Sequence, residues 1–306
     1  MVVQVGIYLY DIFRIDETRQ TFEADFYLTL RWHDPRLACK NGRAYEKDLS
    51  DIWHPHAFVR NRRDLVQTYE SVEIAPDGSV VCGQRFQGLL SYPLDLKSFP
   101  LDRQILPIQI TSFVYSPDQI QWAFDEQGTS KADKLSVLNW SIESMDTSVS
   151  IYRVAQVENG FVSCNFDMQA RRFPAYYLTK VVLPLMLISF TSYLVFWLKT
   201  DQVIPQVSIS VTAILGLITY WFTFQQNLPR IPYLTALDKY LISLMLLVFA
   251  TLVQTVVTVN LADADQESLA VTTDQWMRWI FPALFLLVTS LAFQMGFRRS
   301  QGETEG

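Results

Sequence analysis

The stretch Ile204-Pro-Gln-Val-Ser-Ile-Ser-Val-Thr-Ala-Ile-Leu-Gly-Leu-Ile-Thr-Tyr-Trp-Phe-Thr-Phe224 decides the fold. Crossing a bilayer takes roughly 20 helical residues, and this run is long and apolar enough to do so. Yet hydroxyls recur at Ser208, Thr212 and Thr219, with Leu215 between them. Those positions advance by four, three and four residues, which is one stripe along an α-helix. A helix that faces only lipid gains nothing from such a stripe, because a polar group in hydrocarbon costs free energy unless it is satisfied. A helix beside a water-filled path does gain. The stripe therefore predicts a pore wall, and a pore wall needs several copies of the chain.

Three more spans of similar length flank this one, at Tyr176–Leu198, Leu237–Val259 and Trp276–Phe297. With Ile204–Phe224 they predict a transmembrane four-helix bundle over residues 174–306. Linkers are expected at Lys199–Val203, Gln225–Tyr233 and Asn260–Gln275. Four spans place both chain ends on one side. By the positive-inside rule alone, Arg171, Arg172, Arg230, Lys239, Arg298 and Arg299 against Lys199 and Arg278 would put the N-terminal half in the cytoplasm, though the rule is weak for large translocated domains. No secretory leader is visible at Met1, where VVQVGIYLY reads as a strand.

Residues 1–173 alternate as strands do. Phe22–Leu30 has partial period two, and Val72–Ile74 and Val80–Val81 flank Pro76-Asp77-Gly78, a hairpin turn. Gln104–Thr111 and Trp140–Tyr152 add strands. Many short strands with almost no helical period predict an all-β, immunoglobulin-like sandwich. A net charge of −6 argues against a nucleic-acid partner. Cys39, Cys82 and Cys164 have neither metal nor disulfide spacing. His54-Pro55-His56 lacks a third nearby ligand and reads as polar loop. With no nucleophile–base or phosphate-loop motif, neither an enzyme nor a cofactor or metal is expected.

The segment Tyr92-Pro-Leu-Asp-Leu-Lys-Ser-Phe-Pro-Leu-Asp-Arg-Gln-Ile-Leu106 resembles the signature loop of pentameric ligand-gated ion channels, the Cys-loop receptor superfamily. Phe99-Pro100-Leu101-Asp102 stands at its core, and Tyr92 and Leu106 take the places of the two cysteines, as is typical of bacterial relatives. Trp32-His33-Asp34, Ile52-Trp53-His54-Pro55, Asn139-Trp140, Arg171-Arg172-Phe173-Pro174, Pro184 and Asn227–Tyr233 are similar to family motifs in the same order. The resemblance covers essentially the whole chain, and it implies that the sandwich lies outside the cell or in the periplasm, with the spans in the inner (plasma) membrane.

The resemblance also implies roles. Four identical subunits would join this one in a homopentamer. Ser208, Thr212, Leu215, Thr219 and Phe222 would line its pore, with Leu215 and Phe222 as apolar constrictions. Asp201 at the inner mouth, with an acidic outer domain, predicts permeation by monovalent cations. Lys199 beside it and Pro205 keep an anion-selective channel open as the alternative. A small-molecule agonist would bind between subunits, against Phe113, Tyr115, Tyr152 and Phe161 on one face and Tyr27 on the other. Arg60 stands where many receptors carry an aromatic, which favours an anionic or neutral agonist over an amine. Glu17 (or Asp16), Asp102, Arg172 and Pro232 would couple the two domains. Gln20 replaces a carboxylate of acid-gated relatives and argues against proton activation. The rival reading is a periplasmic sensor on a non-conducting helical anchor.

Overall fold

The computed structural model describes residues 1–39, 42–154, 157–199, 202–226, 229–264 and 266–302. They fall into two compact units, one of residues Met1–Leu94 and Gln104–Arg171, the other of Asp95–Arg103 and Arg172–Gly306.

The first unit is a sandwich of two sheets. Its strands are β1 (Val2–Asp16), β2 (Thr21–His33), β3 (Tyr45–Glu46), β4 (Ala57–Val59), β5 (Arg62–Ile74), β6 (Ser79–Ser91), β7 (Arg103–Ser112), β8 (Gln121–Phe124), β9 (Ser130–Lys131), β10 (Trp140–Val154) and β11 (Val157–Arg172). One sheet has the order β3-β5-β6-β2-β1-β8, with β9 also on β1, and the other runs β10-β11-β7-β4. Period two explains which faces meet. Along β1, Val3, Val5, Ile7 and Leu9 are fully buried, and along β2 so are Phe22, Ala24 and Phe26, with Leu28, Leu30 and Trp32 nearly so. Ile108, Ile110, Cys164, Phe166 and Met168 of the other sheet join the same core.

The strands are longer than the turn spacing suggests, with six of them running 13 to 16 residues. Register shifts at Leu9/Asp11 and Ile12/Arg14 let β1 bend while Ile12 and Ile15 stay inward. The expected hairpin joins β5 and β6, pairing Ile74 with Val80. Gly78 takes φ +89° in its turn, where a side chain would collide with the Asp34 carbonyl.

The second unit holds four helices long and apolar enough to cross a membrane. They are α1 (Ala175–Trp197), α2 (Val203–Gln225), α3 (Ala236–Asp263) and α4 (Glu267–Gly302). The expected linker Asn260–Gln275 is thereby corrected, because α3 runs on to Asp263 and α4 begins at Glu267. Hydropathy marks only the hydrocarbon-length part of a helix, and Glu267, Ser268, Leu269 and Ala270 continue the helix in residues that tolerate it. α1 contains a π-helical turn at Leu178–Val182, just before Pro184. Proline has no N–H to give the Lys180 carbonyl four residues back, and the Tyr220 hydroxyl of α2 donates to that oxygen instead. A capping box starts α3: the Thr235 hydroxyl accepts from the Asp238 N–H at 3.0 Å, and the Asp238 carboxylate accepts from the Thr235 N–H at 2.9 Å.

Candidate functional site

Packing divides α2 into two faces. Gln206, Ser210, Ala213 and Leu217 are buried against neighbouring helices. Ser208, Thr212, Leu215, Thr219 and Phe222 are all exposed, Leu215 at 58% and Phe222 at 60%. The hydroxyls of α2 thus separate, with Ser210 turned inward and Ser208, Thr212 and Thr219 along one open stripe with two large apolar side chains. Other hydroxyls on the spans are spent internally: Ser189, Ser192, Thr251, Thr255 and Thr258 are buried and donate to carbonyls of their own helices. Asp201 lies outside the described residues.

An aromatic cluster forms at the ends of the four-stranded sheet. Phe113, just past β7, meets Phe161 of β11 edge-on at 5.3 Å, Tyr152 of β10 at 6.4 Å and Phe58 of β4 at 5.5 Å. The Arg60 guanidinium sits 4.2 Å from the Tyr152 ring centre, and its Nε donates to Gln109 Oε1 at 3.2 Å. Burial draws the Arg60 pKa down from its ordinary value, but that value is so high that the group stays cationic at neutral pH. Arg62 lies 4.1 Å from the Phe58 ring centre. The cluster therefore already carries cations on two of its ring faces. Phe58 and Gln109 were not expected here. Sequence order gives no local signal for either, because residues 60 and 61 form a turn between β4 and β5 and Gln109 lies on β7.

One expected member of this face, Tyr115, stands elsewhere in the unit, and Tyr27 was expected on the opposite face. Tyr115 packs on Trp53 at 5.5 Å and His56 at 6.1 Å, against the sandwich core. Tyr27 belongs to the other sheet, where it stacks on Tyr69 at 6.5 Å. Its hydroxyl fills the space a side chain at residue 83 would take, so Gly83 is what lets the ring lie flat on β6.

Two family descriptions fit this chain. The neurotransmitter-gated ion-channel ligand binding domain matches residues 1–173, and the neurotransmitter-gated ion-channel transmembrane region matches residues 181–269. The chain belongs to the neurotransmitter-gated ion-channel family. Among its curated relatives is a proton-gated ion channel of Gloeobacter violaceus, 27% identical over 94% of this chain and 81% of that protein. Glycine receptor beta subunits of Rattus norvegicus and Homo sapiens are 28% identical over 82% of this chain. The match spans about half the length of those subunits, 53%.

In this channel-family chain the second unit also holds the central polar group of the signature loop. Arg172 donates Nε to Asp102 Oδ1 at 2.8 Å and Nη2 to Oδ2 at 3.1 Å. Asp102 is fully buried and Arg172 is 2% exposed. The guanidinium also lies 5.0 Å from the Phe99 ring centre and 5.5 Å from that of Tyr177, and Nη1 reaches the Tyr177 hydroxyl at 3.3 Å. The same loop holds the segment before α3. The Leu96 N–H donates to the Tyr233 hydroxyl at 3.0 Å, and the Ala236 N–H donates to the Lys97 carbonyl at 3.0 Å. Pro232, beside this clamp, is exposed. Glu17 is in the turn between β1 and β2, in the first unit. Next to it, burial opposes ionisation of Asp16, but the Arg19 N–H and the Arg14 guanidinium outweigh that and hold its pKa below the usual value.

Proposed function

We propose that this protein is a homopentameric channel of the inner (plasma) membrane, opened by a small molecule bound between subunits of its outer domain. The exposed stripe of α2 carries the reading. Five copies of Ser208, Thr212 and Thr219 would offer rings of hydroxyls to a partly dehydrated ion, and Leu215 and Phe222 would form apolar constrictions that close by dewetting. A lipid-facing surface gives no physical reason for this pattern, and α2 buries its other face against its own bundle.

Monovalent cations are the proposed permeant ions. Asp201 at the inner mouth supports this, together with the acidic balance of the chain, −6. The agonist is proposed to be anionic or neutral. Phe113, Tyr152 and Phe161 would form its principal face and Tyr27 of the next subunit the complementary one. Arg60 already stands over Tyr152, so an ammonium ligand would have to displace or face a fixed cation. Proton gating, named for the Gloeobacter relative, is not carried over, because Gln20 offers no titratable group. Asp102 and Arg172 are proposed as the coupling joint, with Glu17 and Pro232. They lie one residue or less from two of the points where the chain passes between its units. Opening would then follow from tighter agonist binding to the open state than to the closed one.

Recording from the purified full chain in planar bilayers tests the reading. Leu215→Ala should raise leak or agonist sensitivity, and reversal potentials should follow the sodium gradient. A protein that never conducts, with Leu215→Ala silent as well, would make the helices an inert anchor. Reversal that follows chloride would overturn the selectivity.

A further inference from the structure

A cavity in the first unit shares Phe113 with the aromatic cluster; its ligand chemistry stands by itself, and its effect on agonist response rests on the agonist reading. Its volume is about 320 Å³, and Leu30, His54, Phe58, Gln84, Phe113 and Val114 are among the residues that line it. Leu30 and Gln84 come from the seven-stranded sheet and Phe58 from the other, while His54, Phe113 and Val114 stand in loops next to β4 and β7, so both sheets and their loops form its wall. A volume at the lower end of the range for small-molecule pockets suits a ligand of fragment size.

Two polar groups of its wall are fixed by their own hydrogen bonds. Gln84 is only 7% exposed. Its Nε2 donates to Glu70 Oε2 at 2.8 Å, and the same carboxylate oxygen takes Gln67 Nε2 at 2.7 Å, which fixes the direction of the Gln84 amide. Gln84 Oε1 is then left buried with no hydrogen-bond partner among the described residues. A buried acceptor without a donor is costly, and such groups normally have a partner. His54 Nδ1 accepts from the His56 N–H at 3.3 Å, so a neutral His54 ring carries its proton on Nε2. Burial, with His56 beside it, lowers the His54 pKa and favours that neutral ring. Leu30, Leu49, Pro55, Ala57, Phe58 and Val114 supply apolar surface.

We propose that this cavity is a binding site for a small uncharged amphiphile, an aromatic ring with one O–H or N–H donor, which donates to Gln84 Oε1. A cation is disfavoured by Arg62 over Phe58 and Arg60 over Tyr152, next to the cavity wall. A carboxylate is disfavoured by Glu70 directly behind the Gln84 amide. Phe113 belongs both to this wall and to the aromatic cluster with Tyr152 and Phe161, so an occupant acts on that cluster from behind and modulates the response to agonist.

The test is titration of the full-length protein in detergent with 4-bromophenol and with bromobenzene, followed by location of the bromine by anomalous diffraction. Binding of 4-bromophenol should be saturable and about three- to tenfold tighter than that of bromobenzene, the worth of one neutral hydrogen bond. Gln84→Leu should erase that preference and leave bromobenzene binding unchanged within twofold. Ala57→Trp should abolish both by filling the space, and Tyr152→Ala should leave both intact. The wild-type preference alone reads the contact should a variant fail to fold. Absence of saturable binding, an equal affinity for the two probes in the wild type, or loss of binding in Tyr152→Ala would each overturn the proposal.

Discussion

Removing one partner of the Asp102–Arg172 pair should cost far more than removing both. The pair is bidentate, at 2.8 and 3.1 Å, and essentially without solvent, Asp102 at 0% and Arg172 at 2% exposure. Removing one member of a buried ion pair costs about 3–5 kcal/mol, whereas replacing both ions by apolar groups of similar volume is often neutral. The Phe99 and Tyr177 faces, 5.0 and 5.5 Å from the guanidinium centre, already attract Arg172 in the wild type, so they survive in Asp102→Leu without offsetting its loss. Arg172→Met removes those contacts too and should fall at the upper end. In a double-mutant cycle each single variant should lower the folded-to-unfolded ratio by roughly a hundred- to a few-thousandfold. The double variant should recover more than about 2 kcal/mol relative to the sum of the singles. Equilibrium unfolding of the detergent-solubilised protein by denaturant measures all four corners. Single-variant costs under about 1 kcal/mol, or a double variant equal to the sum, would refute the claim that burial makes this pair all-or-none.

Arg60→Ala should shift agonist potency by an order of magnitude or so and favour amine ligands, read from concentration–response currents; unchanged potency would remove Arg60 from the site. Burial pushes the Cys82 and Cys164 thiols up to about 12, so at pH 8 only about one in ten thousand is thiolate, and maleimide should label Cys39 in the native protein and the other two only after unfolding. The Arg36 side chain, bonded to the Asp34 carboxylate at 2.7 and 2.8 Å, holds that carboxyl below its ordinary range. Its stabilisation is complete above the unfolded value of about 3.9 and is lost as pH falls through the lower folded value. The stability gap between wild type and Asp34→Asn should therefore close on acidification below about pH 4, and a gap constant from pH 6 to pH 3 would contradict the assignment.

Some of this molecule could be read from the residue order because the relevant physics is local. Twenty-odd apolar residues must be helical in hydrocarbon, and the span from Ile204 needed only its own periodicity to reveal a hydroxyl stripe at 208, 212 and 219. Pro76-Asp77-Gly78 fixes the turn between β5 and β6 within itself. The Thr235 capping box is equally local, and a scan for it would have set the start of α3. The boundary at Asn260–Gln275 was misread because hydropathy reports thickness of bilayer and not length of helix.

What tertiary structure alone decided is which distant residues share a surface. Phe58, Phe113, Tyr152 and Phe161 come from three strands and the loop after β7, and nothing in their order says that Arg60 fills the face of Tyr152 or that Tyr115 turns toward Trp53. The sequence determined that this chain is a β-sandwich followed by four membrane-length helices, since periodicity and apolar length are properties of neighbours along the chain. The cavity behind Phe113, with the buried Gln84 carbonyl in its wall, exists only because both sheets and the loops beside them meet there, and that meeting is a property of residues far apart in sequence.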